Sequence, residues 1–299
     1  MTNAHDPLPT PTDPDHVVVV HDLACMEIWG GNTHSNTAVS TPGIDAFVYR
    51  QPYGGAEGGG DIHYVSLCAA GKIARFVVAD VSGHGEEVAD LAARLRTMMR
   101  KNINTIDQTR FARAVNEAFS TEGDAGRFAT ALLASYWAPS DHLIVCNAGH
   151  PRPLWYRAAE KRWELMVASS ADSGELDRST GLSNLPLGII DPTDYTQEAF
   201  KLGRGDIVLV YTDSLTEARN ASGEMLGEAG LLRVAAGLDA SNPAELVPSL
   251  LDAVSGYRGA GVPSDDDVTV LALHHNASPT PAYSVWERLE MLGRMAGLG

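Results

Sequence analysis

Two aspartates stand beside glycine-rich turns in the stretch Gly58-Gly59-Gly60-Asp61 and Val77-Val78-Ala79-Asp80-Val81-Ser82-Gly83-His84-Gly85. Asp61 directly follows three glycines and Asp80 ends a strand-like run, so both carboxylates are expected to be exposed while their backbones are held by a sheet. Hard divalent cations take oxygen ligands presented in this way. Two further acidic positions fit the same description: Asp213, after the apolar run Ile207-Val208-Leu209-Val210-Tyr211, and the cluster Asp265-Asp266-Asp267, before the run from Val268. If these ends meet, three or more carboxylates converge, and bare they repel one another. Cations would resolve that repulsion. An all-oxygen set with no His or Cys cluster nearby favours Mg²⁺ or Mn²⁺ over zinc. Two such ions can bridge a water, lower its pKa and set it up for in-line attack on phosphorus. Taken singly, each aspartate is better read as an ordinary turn former.

The elements that must position these residues follow from pattern. Ile62 to Ala69 and Lys72 to Asp80 read as strands joined by a tight Ala70-Gly71 turn, which makes Asp61 and Asp80 neighbours in an antiparallel hairpin. The segment Glu86 to Asn102 carries Val88, Leu91, Ala92, Leu95, Met98 and Met99 at helical spacing, with Arg100 and Lys101 at its end. The Met pair is read as core filling. A second helix is expected from Asp107 to Ser120, with Phe111, Val115, Ala118 and Phe119 along its apolar side. Short strands are expected at Phe128 to Trp137, His142 to Asn147, Pro153 to Arg157, Trp163 to Val167, Leu187 to Ile190, Gln197 to Lys201 and Asp206 to Thr212. The polar stretch 169 to 184 reads as a surface loop or flap. Ile207 to Tyr211 is apolar on both faces, as expected of a central strand covered on each side. Helices follow at Gly227 to Ala236 and Pro243 to Tyr257, then a strand at Val268 to His274. Ahead of all this, Val17 to Val20 is expected as a short edge strand, and Leu23 to Tyr53 as loops plus a strand at Ile44 to Arg50.

The domain organisation expected is a disordered tail over 1–16, one folded domain over 17–276 with its core at about 45–275, and a linker with a C-terminal helix over 277–299, the helix from Val285 to Ala296. The 299 residues carry a formal net charge of -16, which excludes a phosphate-backbone partner and disfavours anionic membranes. Cys25, Cys68 and Cys146 are far apart and have no CxxC spacing, so neither a disulfide framework nor a zinc knuckle is indicated. Without a signal-peptide pattern or a spanning apolar run, the chain reads as soluble and cytoplasmic.

Gly83-His84-Gly85-Glu86-Glu87-Val88 also looks like a dinucleotide loop lacking its third glycine. That reading fails because a second helix and antiparallel-looking strands follow, where a parallel strand with an acidic end is required. His84 and His150 are the candidates for protonating a leaving oxygen. The competing reading has His84 ordering its turn, His150 in a loop after an edge strand, and Asn147 as a turn former.

The order Gly59-Gly60-Asp61, Ala79-Asp80-Val81-Ser82-Gly83-His84-Gly85, Asn147-Ala148-Gly149-His150-Pro151, Leu185-Pro186-Leu187-Gly188, Tyr211-Thr212-Asp213-Ser214-Leu215-Thr216-Glu217-Ala218-Arg219-Asn220 and Asp266-Asp267-Val268-Thr269 resembles the bacterial SpoIIE/RsbU-type branch of the PP2C (PPM) serine/threonine phosphatases. The resemblance implies an α+β fold, a four-layer α-β-β-α sandwich of two antiparallel sheets flanked by helices. It implies hydrolysis of phosphoserine or phosphothreonine in a protein by water activated between two Mn²⁺ or Mg²⁺ ions. Asp61, Asp80, the Val81 carbonyl, Asp213 and Asp266 would then hold the metals, with Asp267 acting behind them or through water. The implied partner is a phosphorylated STAS-domain anti-anti-sigma protein in a partner-switching pathway. Homodimerisation, or movement of the helix at Glu86 to Asn102, is the implied switch.

Three departures stand out. Tyr64 occupies the place of a further aspartate, Ser214 replaces a glycine after Asp213, and no arginine matches a phosphate-binding one. The alternative from a different class is a pseudophosphatase acting as a binding or scaffold module. Ser214, the N-terminal segment and the C-terminal helix motivate it.

Overall fold

The computed structural model describes residues 19–21, 23, 27–68, 71–83, 86–122, 126–167, 183–259 and 261–278. The tail over 1–16, His84, most of the loop at 169–184 and the helix expected at Val285 to Ala296 lie outside the described residues.

Thirteen strands are described: β1 Val19–His21, β2 Ile28–Trp29, β3 Ser35–Thr41, β4 Ile44–Gln51, β5 Asp61–Cys68, β6 Ile73–Val81, β7 Ala129–Trp137, β8 His142–Ala148, β9 Leu154–Arg157, β10 Arg162–Leu165, β11 Glu198–Lys201, β12 Ile207–Tyr211 and β13 Val268–His275. The described α-helices are α1 Glu86–Asn102, α2 Gln108–Glu122, α3 Gly227–Ala236 and α4 Pro243–Arg258. One sheet runs β1-β3-β4-β13-β12-β9-β10 and the other β11-β8-β7-β6-β5-β2. Every strand pair is antiparallel except β1 with β3, so the first sheet is mixed at its edge.

Strand parity sorts the side chains into layers. Val65, Val78, Val208, Val210, Leu271 and Leu273 face between the sheets. Ile62, Tyr64, Val77 and Ala79 face outward under α1 and α2, whose buried faces carry Val88, Leu91, Leu95, Met98, Phe111, Val115 and Phe119. Ile207, Leu209 and Tyr211 face outward under α3 and α4, which contribute Leu231, Leu246 and Leu250. The arrangement is therefore helix, sheet, sheet, helix. Both faces of β12 are covered, and both Met98 and Met99 are core residues.

Three expectations change. Leu23 to Tyr53 holds two further strands, β2 and β3, and β3 forms a hairpin with β4 around Pro42-Gly43. Leu187 to Ile190 is not a strand; Leu187 makes a single bridge to Ala129, and Gly188 turns the chain away at a φ of 86°. β8 is not at the edge of its sheet, because β11 pairs along its outer side.

Candidate metal centre

Asp61 and Asp80 are cross-strand partners in the β5–β6 hairpin, as the turn spacing predicts. The other sheet brings its own acids: Asp213 follows β12 after Thr212, and Asp266 and Asp267 lead into β13. Because β12 and β13 are adjacent and antiparallel, the end of one lies beside the start of the other. The two sheets are tied at this edge by Asp61, whose Oδ2 accepts from Thr269 Oγ1 at 2.6 Å and Thr212 Oγ1 at 3.0 Å.

Asp267 has a different task. Its Oδ1 accepts from the Tyr53 N–H at 2.6 Å, and its Oδ2 accepts from the N–H groups of Gly60 at 2.5 Å and Asp61 at 3.3 Å. It therefore folds the glycine turn against the start of β13. A Cβ on Gly59 would collide with the Asp267 carboxylate, and one on Gly60 would lie 2.8 Å from the Val81 carbonyl oxygen. These two glycines give the close approach that side chains would block. On the opposite side, Arg127 donates to the Ser82 carbonyl at 2.8 Å, which fixes the loop after β6.

Crowding and burial set the electrostatics. Burial first, then the charge of Asp267, pushes Asp61 up to about 7 against the two threonine bonds and Arg50. Asp80 is raised well above the carboxylate range by burial and then by Asp61, Asp213, Asp266 and Asp267 in turn. Asp213 is pushed up to about 6 by burial, Glu217 and Asp266. Four acids thus raise one carboxylate, which puts Asp80 within the field of Asp61, Asp213, Asp266 and Asp267. The donor set is oxygen throughout, and divalent cations would remove its repulsion. Among the described residues, no three His, Cys, Asp or Glu side chains are already closed into a single coordination shell.

The remaining sequence candidates separate clearly. His84 is outside the described residues. His150 is buried, its Nδ1 is 2.9 Å from Thr130 Oγ1, and burial pushes it down to about 3, so it is neutral at pH 7 and unsuited to be a general acid. Asn147 is the turn former expected, accepting from the His150 N–H at 2.7 Å and donating to its carbonyl at 2.9 Å. Tyr64 lies on the outward face of β5 under the helices, opposite in parity to Asp61, so its replacement of an aspartate leaves this edge untouched. Ser214 is buried, 3.4 Å from Thr212 Oγ1.

Sequence reasoning missed Arg50, Thr212 and Thr269. Arg50 is fully buried, and its Nε donates to the Asp61 carbonyl at 3.1 Å. Its signal is a lone arginine on the inward parity of an apolar strand, in step with Ala46 and Val48. The threonines lie inside the motif blocks, next to Asp213 and two residues past Asp267, but their reach to Asp61 depends on how the sheets face each other.

Residues 71–276 match the family model for Stage II sporulation protein E (SpoIIE), more than two thirds of the chain. Phosphoserine phosphatase RsbU of Bacillus subtilis is 23% identical over 197 residues, covering 66% of this chain and 54% of RsbU. Protein IcfG of Synechocystis is 24% identical over 165 residues, 55% of this chain and 23% of IcfG. The chain thus spans about half or less of the length of these relatives. Among solved structures, the RsbU and RsbW domains of a Mycobacterium tuberculosis protein superpose with a TM-score of 0.65 at 25% identity, over 90% of this chain and 71% of that one. The PP2C phosphatase domain of SpoIIE from Bacillus subtilis, with a fragment of its regulatory domain, gives 0.64 at 16% identity, over 83% and 71%.

Proposed function

The chain belongs to the SpoIIE family of PP2C-type phosphatase domains, and from that membership we propose that it is a metal-dependent protein serine/threonine phosphatase. The observation carrying this reading is the convergence of acids from both sheets on one edge, where Asp61, Asp213, Asp266 and Asp267 together raise Asp80. An edge of this kind is costly unless cations occupy it.

On this reading Asp61, Asp80, the Val81 carbonyl, Asp213 and Asp266 hold two Mn²⁺ or Mg²⁺ ions. When bound, such a pair supplies Lewis-acid charge and an activated water for attack on a phosphate ester. The protein's own residues do the positioning. Thr212 and Thr269 fix one Asp61 oxygen and leave the other to a ligand. Asp267 acts from behind by holding the backbone N–H groups of Gly60 and Asp61. Arg50, its Nε on the Asp61 carbonyl, sets a positive charge behind Asp61 that limits the repulsion.

The substrate class proposed is a phosphoserine or phosphothreonine protein in the cytoplasm. RsbU, a phosphoserine phosphatase by name, supports that substrate class; the specific partner proposed, from the motif resemblance, is a phosphorylated STAS-domain anti-anti-sigma protein. Hydrolysis of p-nitrophenyl phosphate with Mn²⁺, repeated after EDTA and with Asp80→Ala and Asp213→Ala, tests the activity. Turnover that ignores chelation, or survives either substitution, overturns the reading. A folded chain with no turnover would favour the binding-module alternative.

A further inference from the structure

An open cavity of about 560 Å³ lies along the segment from β2 to β3, beside β5 and α1, lined among others by Glu27, Trp29, His34, Ser35, His63 and Arg96. None of the four candidate metal aspartates lines it. Its volume falls in the range of small-molecule sites. His63 is 2% exposed, and neither ring nitrogen has a hydrogen-bond partner among the described residues. Arg96, half-buried on α1, likewise has its Nε buried without a partner. These nitrogens are sealed within the protein, so what Arg96 offers the cavity is its terminal NH groups, which are not buried. The acidic lining residue, Glu27, is already engaged by His21 Nε2 at 2.8 Å. The Trp29 ring stands 5.3 Å from the His63 ring, which adds a flat apolar surface beside the polar groups.

We propose that this cavity is a second binding site, separate from the carboxylate edge, for a small organic anion: an apolar body beside Trp29 and a carboxylate or phosphate-type head on the terminal nitrogens of Arg96. Arg96 supplies fixed charge and planar donors suited to an oxyanion, and Ser35 a hydroxyl.

The floor of this cavity is strapped to the carboxylate edge. The Gly31 carbonyl accepts from the His63 N–H at 3.1 Å, and the Asn32 carbonyl accepts from the Gly59 N–H at 3.1 Å. Asn32 Nδ2 donates to the Gly59 carbonyl at 3.3 Å and to Ala89 of α1 at 3.1 Å.

The test is calorimetric titration of the EDTA-treated full chain with benzoate, with phenylphosphonate, and with phenol as the neutral control. Saturable one-site binding of at least one anion is expected, at least tenfold tighter than phenol and weakened tenfold or more by Arg96→Gln, with Trp29→Phe weakening it several-fold. Preference for benzoate would identify the head as a carboxylate, and preference for phenylphosphonate as a phosphate. Failure of both anions to saturate overturns the proposal, as does phenol binding equally well or Arg96→Gln leaving affinity unchanged; the cavity then holds solvent only. No metal or turnover enters this assay, so its failure leaves the phosphatase reading standing, and the converse also holds.

Discussion

Replacing Asp61 by asparagine removes a buried negative charge yet keeps an oxygen for the threonine hydroxyls. Asp61 is 1% exposed, and burial with the Asp267 charge raises it from 3.8 to about 7. Unfolded, it titrates near ~3.9. The folded chain thus holds this proton more tightly than the unfolded one. Asp61 carries no penalty below about pH 4, and its cost grows with rising pH until about pH 7, where it levels off. About three pH units at roughly 1.4 kcal/mol each put the metal-free penalty near 4 kcal/mol above pH 7. Asparagine escapes this penalty while keeping an oxygen for Thr269 and Thr212, whose bonds to the carboxylate are already counted in the value of about 7. Urea unfolding in EDTA at pH 8 should therefore find Asp61→Asn more stable than the parent by about 4 kcal/mol. At pH 5 the penalty, and with it the advantage, falls to about 1.5 kcal/mol. Mn²⁺ at pH 8 should stabilise the parent and leave the variant unchanged. A variant no more stable than the parent at pH 8, or an advantage equal at both pH values, refutes this electrostatic account.

Other outcomes follow from neighbouring contacts. Asp267→Ala leaves the N–H groups of Tyr53, Gly60 and Asp61 without their acceptor, and should cost roughly 3 kcal/mol or more in urea unfolding; a loss under about 1 kcal/mol would contradict its structural role. Thr269→Val removes the 2.6 Å bond to Asp61 and should weaken Mn²⁺ binding by about tenfold while the far-UV spectrum is retained. Gly59→Ala drives a methyl into the Asp267 carboxylate and should lower both stability and Mn²⁺ affinity. Gly256→Ala, in open space on α4, should instead gain about 0.5–1 kcal/mol in the same unfolding assay.

Local pattern made part of this centre legible. The spacing around Ala70-Gly71 fixes the β5–β6 register, so the pairing of Asp61 with Asp80 follows from the sequence. The unbroken apolar run at Ile207 to Tyr211 marks a strand covered on both sides, and the helical face from Val88 to Met99 is buried as its spacing requires. β3 was less visible because Ser35, Asn36, Thr37, Ser40 and Thr41 dilute its apolar signal, although Pro42-Gly43 is a turn marker that points to the hairpin. Leu187 to Ile190 has strand-like composition, but Pro186 and Gly188 leave it only one bridge. The roles of Arg50, Thr212 and Thr269 depend on one sheet facing the other, and spacing along a single strand carries no record of that.

The most direct test of the central claim is calorimetric titration of Mn²⁺ into the EDTA-treated chain at pH 8, beside Asp80→Asn. Two ions bound per chain, with that stoichiometry lost in the variant, is the result expected of a dinuclear centre built on Asp61, Asp80, Asp213 and Asp266. No saturable binding, or an isotherm that Asp80→Asn leaves unchanged, would contradict it.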